Sequence, residues 1–148
     1  MGAISVSLMR VLGLDVGQRR IGVALSDALG LTAQPLMVLE RRGAAADLDA
    51  LAALVTQHDI DTIVVGLPLT MRGERGPQAQ RTASFADTLR RKVSVPVELV
   101  DERLTTVQGE RALLETDTSR RKRKQVIDQV AAQLILQQYL DRRRAKDS

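Results

Sequence analysis

Acidic residues at three distant places in the sequence could together bind divalent metal ions. Asp15 interrupts the apolar run VLGLDVG, Asp101 and Glu102 end the segment VPVELVDE, and Asp128 lies within VIDQVAAQLIL. A charge inside an apolar segment costs about 3 kcal/mol or more unless something compensates it. Mg²⁺ and Mn²⁺ prefer oxygen ligands and use few protein carboxylates, which leaves positions for water and a phosphate. Two such ions about 4 Å apart would support phosphodiester hydrolysis.

Each of these acids also has an ordinary structural interpretation. Asp15, with glycines nearby, is consistent with a turn residue that bonds to local backbone groups. Asp128 would complement the dipole at a helix start by roughly 0.3–1 kcal/mol, although it shares an apolar stripe of that helix. Alternation along a strand sends Asp101 and Glu102 to opposite faces, so at most one of them would join a metal site.

The elements that must position these acids follow from the pattern of apolar residues. The pattern predicts the order βββαβαβαα: a three-stranded antiparallel meander, then strands that alternate with helices. The predicted strands span 8–16, 20–27, 31–39, 61–66 and 95–102, and the predicted helices span 44–57, 78–92, 105–115 and 124–141. We therefore expect an α/β protein of the ribonuclease H-like fold. Its five-stranded mixed sheet would contain the meander and two parallel strands, with helices on both faces.

The composition narrows the class of protein. The chain has 148 residues, of which 44% are hydrophobic, so we expect one domain over residues 1–148 with an adequate core. It has no cysteine, which excludes disulfides, thiolate metal sites and cysteine nucleophiles. We expect no signal peptide, and no apolar stretch approaches the ~20 residues needed to cross a bilayer. A cytoplasmic protein that does not contact a membrane is expected.

The charge balance permits binding to nucleic acid. Lys and Arg number 22 against 18 Asp and Glu, which gives a net charge of +4. With one Phe and one Tyr, stacking of bases on an aromatic platform is not expected, so contacts would involve backbone phosphates. The candidate phosphate-binding residues are Arg19, Arg20, Arg72, Arg75, Arg121, Lys122, Arg123 and Lys124. Basic runs such as 120–124 are usually solvated, and the loop 67–77 could equally be a plain connection.

Glycines in the first two strands suggest room for a ligand. Gly13, Gly17 and Gly22 lie close to Asp15 in the sequence. Because glycine has no side chain, these positions could admit the backbone of a nucleic acid.

Four segments together resemble a known family. GLDVGQRRIGVALSD, VVGLPLTMRGERGPQAQR, VDERLTT and VIDQVAAQLILQQYL, in this order, are similar to the YqgF family, also called RuvX, of ribonuclease H-like nucleases. The resemblance extends from about residue 11 to residue 141. It implies a cytoplasmic bacterial nuclease that matures the 5′ end of 16S rRNA from its precursor, and a kinship with Holliday-junction resolvases.

The resemblance also implies roles for individual residues. Asp15, Glu102 and Asp128 would be the catalytic carboxylates and the ligands of Mg²⁺ or Mn²⁺, with Asp101 as the alternative to Glu102. The family often has a basic residue after DVG-x; here the turn reads Gln18-Arg19-Arg20, which retains the charge. The implied partners are precursor rRNA and ribosomal particles.

Other functions remain open from the sequence alone. Junction-specific DNA cleavage would require a dimer, whereas a monomer favours RNA processing; without cysteine, any homodimer would be non-covalent and is expected to be weak. A non-catalytic RNA-binding factor in ribosome assembly would bind RNA with a steep salt dependence and show no cleavage. LDVG also resembles the phosphate-binding turn of actin-like ATPases, but those enzymes need two lobes of this kind, and this chain has length for one.

Overall fold

A five-stranded mixed sheet forms the centre of the molecule. The computed structural model describes the backbone of residues 10–102 and 120–147 and the side chains of residues 10–102 and 129–146. The strands are β1 (Val11–Val16), β2 (Arg20–Ser26), β3 (Ala33–Glu40), β4 (Thr62–Leu67) and β5 (Val97–Asp101). They lie in the order β3-β2-β1-β4-β5. β1, β2 and β3 pair antiparallel, while β4 runs parallel to β1 and to β5. The predicted sheet is confirmed.

Two predicted strand starts were wrong by two residues. β3 begins at Ala33 instead of residue 31 because the Asp27 carboxylate accepts hydrogen bonds from the N–H groups of Leu31 and Thr32, which holds them in the turn. The bond from Leu31 is the main reason that the pKa of Asp27 lies below its ordinary value. β5 begins at Val97 instead of residue 95, directly after Pro96, which has no N–H to donate to the ladder.

Helices α1 (Ala44–Gln57) and α2 (Pro77–Lys92) cover one face of the sheet, called the α1–α2 face. The first helix has the predicted bounds, and Pro77 takes the first helical position, where its missing N–H costs nothing. The α1–α2 face buries one large apolar cluster, which includes Leu12, Leu14, Val16, Leu51, Ile63, Phe85 and Leu89. β1 therefore directs every second side chain towards these helices.

Helix α3 (Arg120–Asp147) covers the opposite face, called the α3 face. Its buried stripe, Ala131, Ala132, Ile135, Leu136 and Leu140, packs on Val11, Val64 and Val100. The helix is longer than the predicted 124–141. Its last turns are charged and largely exposed, so no apolar periodicity marked their end. The helix predicted over 105–115 lies outside the described residues.

Gly13 allows α3 to approach the sheet closely. A Cβ atom at Gly13 would lie 2.7 Å from the Cβ of Leu136 and 3.2 Å from the carbonyl oxygen of Ala132. The expectation that this glycine clears space for a nucleic acid was therefore wrong, because a helix fills the space. Gly17 also serves the chain itself: its N–H donates to the Arg20 carbonyl across 2.8 Å and closes the turn between β1 and β2.

Within the described residues, no helix combines the length and the apolar character needed to span a membrane.

Candidate active site

Asp15 lies buried near the carboxyl end of β1, on the α3 face. The residue is 8% exposed. Leu14 and Val16 pack on the α1–α2 face, so alternation along the strand turns Asp15 the other way. On β2 it pairs with Gly22. On β4, the register Leu14↔Val65 places Gly66 beside Asp15 when continued by one residue. A glycine therefore flanks Asp15 on each side, so neither neighbouring strand places a side chain of its own beside the Asp15 carboxylate.

Glu102 reaches the same face from the end of β5. It is the first residue after the strand and is 1% exposed. Its Oε1 atom lies 3.1 Å from the position that a Cβ atom at Gly66 would occupy. The Glu102 carboxylate therefore lies over Gly66, next to the strand that carries Asp15. The Glu102 carboxylate can occupy this position because Gly66 has no side chain.

Asp101 belongs to the opposite face. Val97 and Leu99 of the same strand pack on the α1–α2 face, whereas Val100 packs against α3. Alternation therefore turns Asp101 towards the α1–α2 face, where it is half-buried. Of the two adjacent acids that the sequence left as alternatives, the fold brings only Glu102 to the face that holds Asp15.

Helix α3 crosses this face with its N-terminal half towards the carboxyl ends of β1, β4 and β5. Ile135 lies over Gly66 near those ends, and the Tyr139 hydroxyl donates to Glu98 Oε2 across 2.8 Å, one turn further from them. Burial, followed by the bond to Glu98, raises the pKa of Tyr139 to about 12, so its hydroxyl stays protonated and anchors the helix.

The third predicted carboxylate is carried by the same helix. The backbone of Asp128 lies in α3, seven residues before Ile135 and so about 10 Å along the axis. Because Ile135 already lies near the carboxyl ends of the strands, this separation carries residue 128 towards or past them. The Asp128 side chain lies outside the described residues, so its part in the site stays a prediction.

The predicted basic residues divide into three groups. Arg19, Arg72 and Arg75 are exposed. Arg20 instead forms an ion pair with Glu40, Nε to Oε1 at 2.9 Å, and its side chain is largely covered. The side chains of Arg121, Lys122, Arg123 and Lys124 lie outside the described residues, although their backbone is helical.

The loop between β4 and α2 is folded into a defined turn. The Thr70 N–H donates to the Glu74 carbonyl at 2.9 Å, and Gly73 N–H donates to the Thr70 carbonyl at 2.8 Å. Gly73 has φ of 84°, a conformation that glycine adopts without strain. This turn presents Arg72 and Arg75 beyond the carboxyl end of β4. Contact of this loop with a substrate stays a prediction, beside the interpretation of 67–77 as a plain connection.

The donor set fits a hard divalent cation. Asp15 on β1 and Glu102 at the end of β5 supply carboxylate oxygens from the two strands on either side of β4, and both residues are buried. Among the residues whose side chains are described, no group of three or more acidic, His or Cys side chains forms a complete metal site. A third protein ligand would have to come from elsewhere in the chain, and Asp128 is the predicted one.

Sequence reasoning missed the role of Gly66. The signal was present as the single residue without a side chain in the apolar run TIVVGL. The role of Gly66 follows only from the fold, in which Ile135 of α3 and the Glu102 carboxylate lie over this glycine.

The chain is similar to known proteins. A family model described as RuvX, Holliday junction resolvase, matches residues 9–142. A Moorella thermoacetica protein named "Putative pre-16S rRNA nuclease" is 58% identical over 134 residues, which cover 90% of this chain and 96% of that protein. A Myxococcus xanthus protein of the same name is 53% identical over 140 residues, which cover 95% of this chain and 93% of that protein.

Solved structures agree on the fold. T. thermophilus RuvC in complex with a Holliday junction substrate has a TM-score of 0.58 at 15% identity, covering 93% of this chain and 96% of that one. Fowlpox virus resolvase in complex with Holliday junction DNA has a TM-score of 0.51 at 12% identity, covering 90% and 97%. These likenesses confirm the predicted ribonuclease H-like fold.

Proposed function

The chain belongs to the RuvX family, and we propose that it is a nuclease that hydrolyses phosphodiester bonds in precursor 16S rRNA with divalent metal ions. The observation that carries the proposal is the pair of buried carboxylates, Asp15 and Glu102, which share the α3 face around Gly66. The relatives that share more than half of their residues with this chain over nearly its full length carry the same activity in their names.

Asp15, Glu102 and Asp128 would hold Mg²⁺ or Mn²⁺. When bound, such ions activate a water nucleophile and stabilise the leaving oxygen of the phosphodiester. The protein's own contribution is rigidity: Asp15 is fixed by β1, and Glu102 is buried between β4 and α3, so neither carboxylate has to be ordered when the substrate arrives.

The exposed basic residues would hold the phosphates of the substrate. Arg72 and Arg75 lie on the turn beyond β4, and Arg19 lies on the turn after β1. The run 121–124 at the start of α3 adds more cationic residues. Arg20 contributes less in this account, because its guanidinium is already paired with Glu40.

We propose further that residues 1–148 act as a single nuclease domain in the cytoplasm. Ribosomal particles are its proposed partners, and it would work as a monomer or a weak non-covalent homodimer. The distribution of charge favours a polyanionic partner, because the cations beside the site are exposed while the acids are buried.

The test compares cleavage of precursor rRNA and of four-way DNA junctions with Mg²⁺ or Mn²⁺, using wild type and Asp15→Asn. Asp15→Asn should fold and bind RNA, but its cleavage should fall by orders of magnitude because one metal ligand is lost. Asp87→Asn is the matched control, since this aspartate is exposed on α2 and, among the described residues, forms its ion pair with Arg90 of the same helix. Undiminished cleavage by Asp15→Asn would refute the assignment.

A second candidate activity is Holliday-junction resolution, which is favoured by the description of the matching family model. Symmetric cutting of two strands requires two active sites. Preferential cleavage of junctions by a dimer would support this alternative. RNA binding without any divalent-dependent cleavage would instead identify a non-catalytic RNA-binding factor.

A further inference from the structure

A second recess opens at the same end of the sheet but on the opposite face. This cavity of about 510 Å³ lies between the turn that follows β1 and the first turns of α1 and α2. Val16, Gly17 and Gln18 form one wall, Ala44 lies at the start of α1, and Gln78 lies at the start of α2. Its size falls within the range of about 300–1,000 Å³ that is typical of ligand pockets.

The charged side chains among the described residues that line the cavity are both cationic, Arg41 and Arg81. Arg41 is held in place: its Nη1 donates to the Gly17 carbonyl at 2.9 Å, its Nε pairs with Asp47 Oδ2 at 3.1 Å, and its guanidinium lies 5.1 Å from the ring centre of Phe85. Asp47 balances the charge of Arg41 but leaves further N–H donors for a ligand.

Arg81 is the second cation of the recess. It is exposed on the first turns of α2, and no ion pair joins it to another residue in the described parts of the chain. An exposed arginine at the rim of a recess is suited to bidentate recognition of a phosphate.

Both helices point their N-termini at this recess. α1 has 14 residues and α2 has 16, and neither has a side-chain hydrogen bond at its N-cap. The positive end of a helix dipole and its unpaired N–H groups favour anions. Asp47 offsets this effect in the first turn of α1, whereas the first turn of α2 contains no acidic residue.

The recess lies close to the candidate active site. Gln18 is three residues beyond Asp15, so their Cα atoms are at most about 11 Å apart. Asp15 faces α3 and the recess faces α1 and α2, with only the tight turn at Gly17 between them. A strand in a duplex places a phosphate about every 3.4 Å along the axis. A strand cut at Asp15 therefore has other phosphates within reach of the recess.

We propose that this recess binds a nucleotide of the substrate strand next to the scissile bond, with its phosphate on Arg81 and the N-terminus of α2. The inference rests on the proposed nuclease function and adds to it a site for the flanking strand. The amides of Gln18 and Gln78 supply hydrogen-bonding groups for a base or a ribose.

The test measures binding of a labelled precursor rRNA fragment to the full chain, without divalent ions so that no cleavage occurs. Arg81→Ala should weaken binding about tenfold and reduce the slope of log affinity against log salt by about one. Arg91→Ala is the matched control: it removes an exposed arginine from the same helix, ten residues away and outside the recess, and should change affinity less than twofold.

Equal binding by the Arg81→Ala and Arg91→Ala variants would overturn the proposal. Cleavage by wild type, measured separately with Mg²⁺, distinguishes this failure from failure of the nuclease assignment: active wild type with equal variants refutes the recess alone. Titration with adenosine monophosphate tests whether the recess binds a free nucleotide. The binding is monitored by NMR through the backbone amide signals of residues 16–18 and 78–85. Binding that the RNA fragment displaces supports the proposal, and tight binding that RNA leaves intact contradicts it.

Discussion

The candidate active site and the recess, on opposite faces of the sheet, are lined by side chains of opposite charge. On the α3 face, the buried groups are the carboxylates Asp15 and Glu102. On the α1–α2 face, the recess is lined by Arg41 and Arg81. One short stretch of backbone, from Asp15 to Gln18, contributes to both. Under the proposed function, a substrate strand that passes over this edge would meet the carboxylates of one face and the arginines of the other.

The largest expected effect is a difference in cleavage rate between variants of two adjacent acids, Glu102 and Asp101, whose side chains point to opposite faces of the sheet. Glu102→Gln should reduce cleavage by orders of magnitude, because it removes a buried carboxylate from the α3 face. Asp101→Asn should retain activity within about tenfold, since alternation turns this residue away. Cleavage rates with Mg²⁺ and thermal melting of both variants check this. A larger loss in Asp101→Asn than in Glu102→Gln, with both variants folded, would reverse the assignment of the faces.

A methyl group added at Gly66 should damage the α3 face alone. Its Cβ would lie 2.4 Å from Ile135 Cδ1 and 3.1 Å from Glu102 Oε1, so Gly66→Ala should lower the free energy of unfolding by about 1–3 kcal/mol. Gly76→Ala is the control, because the nearest atom to its added Cβ is 3.8 Å away. Urea unfolding measures both. Equal stability of the two variants would show that α3 does not press on Gly66.

An effect of the same size on the free energy of unfolding is expected on the α1–α2 face. Asp47 is 4% exposed and accepts bonds from Arg41 Nε and from the Arg42 N–H. Asp47→Ala should lower the free energy of unfolding by about 1–3 kcal/mol and weaken RNA binding, because Arg41 loses its anchor.

Asp49→Ala, on the same helix, is the matched control for that change. Asp49 is 68% exposed and pairs with Lys92 at the surface, so its loss should cost about 0.5 kcal/mol or less. Urea unfolding and the RNA-binding assay give both values. If the two variants behave alike, Asp47 does not hold Arg41 in the recess.

The sequence predicted the elements well where apolar periodicity was continuous. The bounds of α1 are confirmed, because apolar residues recur there at helical spacing. The antiparallel pairing of β1, β2 and β3 and the two parallel strands are also confirmed. The starts of β3 and β5 were wrong because an aspartate side chain and a proline decide them locally. The true end of α3 was missed because its last turns are stabilised without burial of apolar side chains.

The site was partly predictable. Asp15 could be recognised because a charge in a buried strand needs compensation. The choice between Asp101 and Glu102 required the strand register, and the roles of Gly13 and Gly66 required the path of α3. The recess could not be anticipated, because it arises where α1 and α2 meet the turn after β1, and no segment of sequence contains all three.

A calorimetric titration of the full chain with Mn²⁺ tests most directly whether the α3 face, and not the recess on the α1–α2 face, binds metal ions. Wild type should bind the ion, Asp15→Asn should lower the affinity at least tenfold, and Arg81→Ala should leave it within twofold, because the proposed ligands Asp15 and Glu102 lie on the α3 face and Arg81 lies on the other. Mn²⁺ binding by Asp15→Asn with the affinity of wild type would contradict the account.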